Sequence, residues 1–147
     1  MTDYGRSRTS TATLMAYIKS TITSAATSWN IGEYAYTDID NILKAFPSLR
    51  SPAIVLMFPI ITPNTYENPD APMRRMKFGA WIYSQSYQFA TVDKTTILNM
   101  GETLISALDM QFYNSNVLML CSQSEPLRVV KNAGVMSIKL DIIAEDY

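Results

Sequence analysis

The sequence predicts an α+β domain with a mostly antiparallel β-sheet of four to five strands and two main amphipathic helices packed on one face. Two stretches repeat apolar residues at three- and four-residue spacing, which indicates helices. The other apolar segments have the length of strands, and several of them alternate with polar residues. The 147 residues suit a single domain, and no repeat or linker divides residues 1–147.

The first helix is predicted over residues 11–29, after a polar N-terminal arm of residues 1–10 that we expect to be flexible. Ser10, Thr11 or Thr13 could cap this helix, because a side-chain oxygen there can accept a backbone N–H group of the first turn. The apolar face of the helix consists of Leu14, Ile18, Ile22, Ala25 and Trp29.

A short second helix is predicted after the stop signal at Gly32. Asp38 can cap its start, and Pro47 ends it because a proline ring cannot continue a helix. Asp38 and Asp40 are therefore interpreted as a cap and a first-turn acid rather than as a metal or acid–base pair. Residues 53–61 follow as a continuous apolar run, which is typical of a central strand that is covered on both faces, or on one face with a partner subunit on the other.

A polar segment with three prolines, residues 61–75, separates this strand from the next and predicts a long β-hairpin loop. We call it the proline-rich segment, and its prolines favour extended conformations. Residues 76–90 then alternate in character and predict a strand with bulky side chains on both faces. The outer face of the sheet is therefore not expected to be simply exposed to water.

The second main helix is predicted after a cap at Thr91 or Asp93. Gly101 costs roughly 1 kcal/mol there relative to Ala, and a glycine inside a helix often allows another element to approach closely. Strands are predicted over residues 116–122, 126–130 and 134–146, the last two joined by a turn at Asn132 and Gly134. The apolar stripe of this helix consists of Ile97, Met100, Leu104, Leu108 and Phe112.

Composition predicts a protein that is not an enzyme and has no cofactor, metal or catalytic site. The chain has no histidine and one cysteine, Cys121, which lies in an apolar strand and is expected to be a buried structural thiol. It has no glycine-rich phosphate loop. The net charge of −1 indicates no global attraction to nucleic acid. The first ten residues do not resemble a signal peptide, and no apolar run is long enough to cross a membrane.

The candidate contact residues are cations and a tyrosine in the extended parts of the chain. Arg74, Arg75 and Lys77 form the densest basic cluster, which could contact phosphates, form salt bridges or be solvated. Tyrosine is enriched at protein–protein interfaces, and Tyr66 lies within the proline-rich segment. The predicted subunit interface consists of Tyr66, Arg74, Arg75, Lys77, Arg6 and Arg8.

The element order resembles that of the tail-terminator and neck (tail-completion, head–tail connector) proteins of bacteriophages. The resemblance covers most of the chain and is one of pattern, without a residue fingerprint, so it transfers no site. The short helix before Pro47 departs from the pattern. The segments that carry the resemblance are residues 11–29, FPSLRSPAIVLMF, residues 61–75, LISALDMQFY and VMSIKLDIIAEDY.

The resemblance implies a structural virion protein that forms a homo-oligomeric ring at the head–tail junction. Its partners would be copies of itself and the neighbouring connector, portal-side and tail proteins, with non-specific contact to DNA in the channel. It would be assembled in the host cytoplasm and would not bind a membrane. The alternative from the residues is a small nucleic-acid- or ligand-binding domain that uses Arg74, Arg75 and Lys77. A third hypothesis is an enzyme, but no residues in the sequence indicate an active site.

Overall fold

The computed structural model describes residues 9–34, 52–63, 73–85, 91–130 and 133–145, and it confirms the α+β class in them. A seven-stranded, mostly antiparallel sheet carries two helices. The elements in chain order are α1 (Thr11–Ala25), β1 (Asn30–Tyr34), β2 (Ala53–Met57), β3 (Ile60–Pro63), β4 (Met73–Gln85), α2 (Thr91–Leu108), β5 (Gln111–Asn114), β6 (Val117–Val130) and β7 (Ala133–Glu145). The strands are ordered β1-β2-β4-β7-β6-β5, and β3 also pairs with β4.

Helix α1 begins where the sequence predicts and ends about four residues earlier. The Ser10 side chain caps it by accepting the N–H of Thr13 at 3.1 Å. Ala26 leaves the helical conformation, and its N–H closes the last turn on the carbonyl of Ile22 at 2.9 Å. Trp29 is buried, but it lies beyond the helix. The predicted face is confirmed by Leu14, Ile18 and Ile22, which are fully buried.

Strand β1 lies where the sequence shows only a glycine stop signal. It pairs with β2 in parallel from Asn30 opposite Ala53 to Tyr34 opposite Met57. The N–H of Asn30 also donates to the carbonyl of Pro52 at 3.0 Å. This is the one parallel pair among the described strands. The short helix predicted between Asp38 and Pro47 lies outside the described residues.

The apolar run 53–61 is divided into β2 and β3, which follow each other along the same edge of β4. Leu56 of β2 lies opposite Ala80, and Ile60 of β3 lies opposite Lys77. Four residue steps from β2 to β3 therefore match three steps along β4. The extra residue is a bulge around Pro59, which has no N–H to contribute to the ladder. The bulge lets one continuous edge of β4 bind two short strands.

The hairpin between β3 and β4 is confirmed, but the proline-rich segment is shorter than residues 61–75. Ile61 pairs with Met76 and Thr62 with Arg75, so both ends of that segment belong to strands. Only residues 64–72 lie between β3 and β4, and they are outside the described residues. Arg74 and Arg75 obscure this extension in the sequence, because the apolar alternation of β4 becomes clear only from Met76 onward.

Helix α2 confirms the predicted stripe through Ile97, Leu104 and Leu108, which are fully buried. It already begins at Thr91, so Thr91 and Asp93 both lie inside the first turn and neither is the cap. Gly101 confirms the close approach, because a Cβ atom there would overlap the terminal methyl group of Met136 on β7. Helix α2 therefore rests directly on the central strands.

The C-terminal hairpin is confirmed, but its first strand joins the two strands predicted over residues 116–122 and 126–130. Strand β6 runs without interruption past Pro126, and its pairing with β7 shifts between Gln123 and Glu125 and again before Arg128. Gly134 is not a turn residue, because it pairs with Val129 inside the ladder. Only residues 131–132 connect the two strands, and they lie outside the described residues.

Both faces of the sheet are buried near the β1 end. The face under the helices forms the main core, in which Met76, Phe78, Ala80 and Ile82 of β4 share one side. On the opposite side, which we call the outer face, Trp81 is buried, and its indole N–H donates to the sulfur of Met57 at 3.1 Å. The other buried residues of the outer face are Ala53, Val55, Tyr83, Val135 and Ser137.

Candidate functional site

Five strands lie side by side at the end of the sheet farthest from β1. Ile61 pairs with Met76, Met76 with Ile142, Ile142 with Met119, and Met119 with Gln111. Strands β3 and β5 are the two ends of this row, and no described strand pairs with the free edge of either. Four inter-strand spacings separate them, which amounts to about 19 Å.

The β3 edge exposes three large apolar side chains. Ile60 is 60% exposed, and its neighbours Phe58 and Ile61 are also exposed. Ile60 lies on the outer face opposite Lys77, and Ile61 lies on the helix face opposite the buried Met76. The β3 edge therefore exposes an apolar side chain on each of the two faces of the sheet. An open edge with this composition is a template for pairing with another chain.

The β5 edge exposes Met110 and Phe112, and Phe112 is 62% exposed. Met110 has a φ of 57°, in the left-handed region, and it turns the chain from α2 directly into β5. The turn is stabilised by Asp109, whose carboxylate accepts the backbone N–H of Cys121 at 2.9 Å. The ring of Tyr113 packs edge-on against that of Tyr17, with a centroid distance of 4.9 Å. These contacts hold β5 in place while Phe112 points outward.

The large apolar side chains that are exposed in the described residues are concentrated at these two edges. Phe58, Ile60 and Ile61 lie at the β3 edge, and Met110 and Phe112 lie at the β5 edge. The remaining one is Leu98, which is 45% exposed on α2. Single exposed apolar residues need no explanation, but grouped ones on open strands mark an interaction surface. The two edges are therefore the candidate functional site.

Arg74 does not lie on the same face of the sheet as Arg75 and Lys77. It is only 4% exposed and faces the helices, where its guanidinium donates to the carbonyl of Thr9 and to the hydroxyl of Thr11. Arg75 and Lys77 are exposed on the outer face, because successive side chains of a strand point to opposite faces. The basic cluster read from the sequence is thus split by the sheet.

Lys139 is a further surface cation, outside the interface predicted from the sequence. It is exposed on β7, and its partner Gly79 lies two residues from Lys77 on the same face of β4. Asp141, opposite Lys77, places a carboxylate in the same region. The alternation of β7 already assigned Lys139 to the polar side, but only the pairing of β4 with β7 brings it near Lys77.

The other predicted interface residues, Tyr66, Arg6 and Arg8, lie outside the described residues. Their roles remain predictions. Thr9 and Ser10 are the described residues that precede α1. The Thr9 hydroxyl accepts a hydrogen bond from the Asn114 amide at 3.2 Å. Together with the Arg74 contact, this bond ties the start of α1 to β4 and β5.

Cys121 is buried, as the sequence predicts. Burial, together with the negative charge of Asp109, raises the pKa of its thiol to about 12. A thiol with this pKa is protonated at neutral pH and is a poor nucleophile. The described residues contain no group of three or more His, Cys, Asp or Glu side chains that could hold a metal ion. In the same part of the chain, no helix is long and apolar enough to span a membrane.

An open groove follows the exposed side of α1. Its lining includes Ala12, Ala16 and Ser20, together with Lys19 and Glu33 of β1, which form an ion pair of 3.3 Å. The ion pair is partly exposed and so contributes little to stability. Small side chains and one surface ion pair provide no chemistry that would select a ligand.

Comparison with models of known protein families finds no match to this chain, and comparison with curated proteins finds none either.

Proposed function

We propose that the protein is a structural virion subunit that assembles with copies of itself into a ring at the head–tail junction of a bacteriophage, as a tail terminator or neck protein. The observation that carries the assembly is the pair of open, apolar sheet edges at opposite ends of one row of strands. A subunit with two different contact surfaces binds head to tail, and repeated head-to-tail contacts close into a ring when the rotation permits.

The place in the virion rests on the order of elements. A helix precedes the β3–β4 hairpin, a second helix follows it, and a closing hairpin completes the sheet, as in the phage proteins that the sequence resembles. The neighbours in this role are connector, portal-side and tail proteins, and assembly takes place in the host cytoplasm before the ring enters the virion. The exposed Arg75 and Lys77 could then contact DNA that passes through the channel.

The deciding experiment is the mass of the purified protein in solution over a wide concentration range, combined with electron microscopy of the particles. We expect one closed oligomer of defined mass and a ring in projection. A protein that stays monomeric at all concentrations, also in the presence of its neighbours from the same virion, would contradict the proposal.

A nucleic-acid-binding domain is the second candidate, and the exposed Arg75, Lys77 and Lys139 on neighbouring strands favour it. Arg74 does not support this candidate, because its buried guanidinium donates hydrogen bonds to Thr9 and Thr11 and does not face the solvent with Arg75 and Lys77. Binding through three phosphates would fall steeply with salt, with a slope of log K against log salt of about −2.7 for duplex DNA. Salt-dependent DNA binding by a strictly monomeric protein would favour this candidate over the ring.

A further inference from the structure

The two open edges run in the same direction. Strands β3, β4, β7, β6 and β5 are each antiparallel to the next strand in the row. Four reversals return the direction to that of the first strand, so β5 is parallel to β3. This follows from the odd number of strands in the row and does not depend on any side chain.

This shared direction decides which strands can meet. A rotation about an axis roughly parallel to the strands keeps their direction, so the β5 edge of one copy would meet the β3 edge of the next copy in parallel. A two-fold axis would instead bring β3 to β3 or β5 to β5 in antiparallel pairs. The head-to-tail and two-fold arrangements therefore make different contacts that can be distinguished.

We propose that β3 of one copy pairs with β5 of the next copy as parallel strands, so that the sheet continues from subunit to subunit. This inference rests on the proposed assembly into a ring and specifies its contact. The N–H and C=O groups that no described strand pairs at either edge then find partners. Ile60, Thr62 and Phe112 belong to the outer-face rows of the sheet, so their side chains share one side of the joint.

The test uses cysteines at Thr62 and Phe112, which lie in one row of the sheet at its opposite edges. Three variants are oxidised under mild conditions: Thr62→Cys, Phe112→Cys and the double variant. A disulfide within one chain is not possible, because the edges are about 19 Å apart and a disulfide needs Cα atoms within about 7 Å. The native Cys121 is buried and stays in all variants as an internal control.

We expect the double variant to form a ladder of covalent oligomers and each single variant to form none. A mixture of the two single variants should stop at covalent dimers, since each chain carries one surface thiol. Thr62→Cys combined with Leu98→Cys should give no ladder, because Leu98 is exposed but lies on α2 away from the edge. Pro63→Cys with Asn114→Cys, which lie together in the neighbouring row of the sheet, repeats the test with Phe112 intact.

Covalent dimers of either single variant alone would overturn the proposal in favour of a two-fold contact. Another outcome is that rings form normally while neither the double variant that includes Phe112→Cys nor the one that includes Asn114→Cys gives a ladder. That result would overturn the β3–β5 contact but not the proposed ring. A protein that never associates would overturn both the contact and the proposed function.

Discussion

At the scale of single residues, Arg74 is predicted from the sequence to be an interface cation, but it is buried on the core face of β4. Its alternation with Met76 and Phe78 places it on the core face, but a charged residue there contradicts the apolar pattern that defines the strand. Burial is possible because oxygens of Thr9 and Thr11 accept hydrogen bonds from the guanidinium. The same bonds fasten the start of α1 to β4.

We therefore expect Arg74→Met to destabilise the protein by about 1.5–3 kcal/mol, because hydrogen bonds from a charged donor are lost and the partly buried carbonyl of Thr9 loses its partner. Arg75→Met is the matched control, since it removes the same charge from the next, exposed position. It should change the free energy of unfolding by about 0.5 kcal/mol or less. Urea denaturation of both variants measures the difference, and equal effects would show that the Arg74 contacts do not matter for stability.

The Cys121 thiol should react with alkylating reagents only when the protein unfolds. Its pKa is raised to about 12 by burial and by Asp109, so the folded protein disfavours the thiolate. Because the folded state keeps this proton above pH 9, stability should decrease as pH rises from there toward about 12 and should not depend on this group at lower pH. Alkylation rates at pH 8, with and without urea, test the first part. Fast labelling of the folded protein would refute it.

At the scale of elements, the sequence predicts what local periodicity determines. Both helices and the apolar strands are found because each repeats its pattern over several residues. Strand β1 is not evident in the sequence, because its five residues contain a glycine and pair with residues 23 positions later in the chain. Phe112 was assigned to the helix because it continues the helical period, whereas Met110, at positive φ, ends α2 without the usual glycine or asparagine.

The contact between α2 and the sheet depends on the missing side chain of Gly101. Gly101→Leu should lower stability by about 1–3 kcal/mol, because the added atoms must displace the buried Met136 and Ile82. Ser106→Leu is the control, since it adds the same residue at an exposed position of the same helix. Thermal unfolding should give a lower Tm for the first variant only. A Gly101→Leu variant as stable as its control would mean that the helix can move away from β7 without cost.

At the scale of the whole molecule, a single β3–β5 contact between two copies is expected to be weak. Burying the exposed halves of five large apolar side chains contributes about 1 kcal/mol each, or about 5 kcal/mol together. The loss of translational and rotational freedom on association costs about 4–15 kcal/mol. One edge contact alone therefore yields little net affinity. In a closed ring every subunit makes two contacts, and closure turns the last association into an intramolecular step.

Assembly should consequently be all-or-none and sensitive to a single charge at either edge. We expect Ile60→Lys and Phe112→Lys each to abolish the oligomer, because a lysine on an edge strand is costly to bury against another strand. Leu98→Lys removes a comparably exposed apolar side chain from α2 and should assemble normally. All three variants should keep their Tm as monomers, since none of these side chains is buried. Sedimentation velocity at matched concentrations separates the outcomes. If Leu98→Lys alone disrupts assembly, the contact lies on the helix layer, and the two sheet edges are ordinary surface.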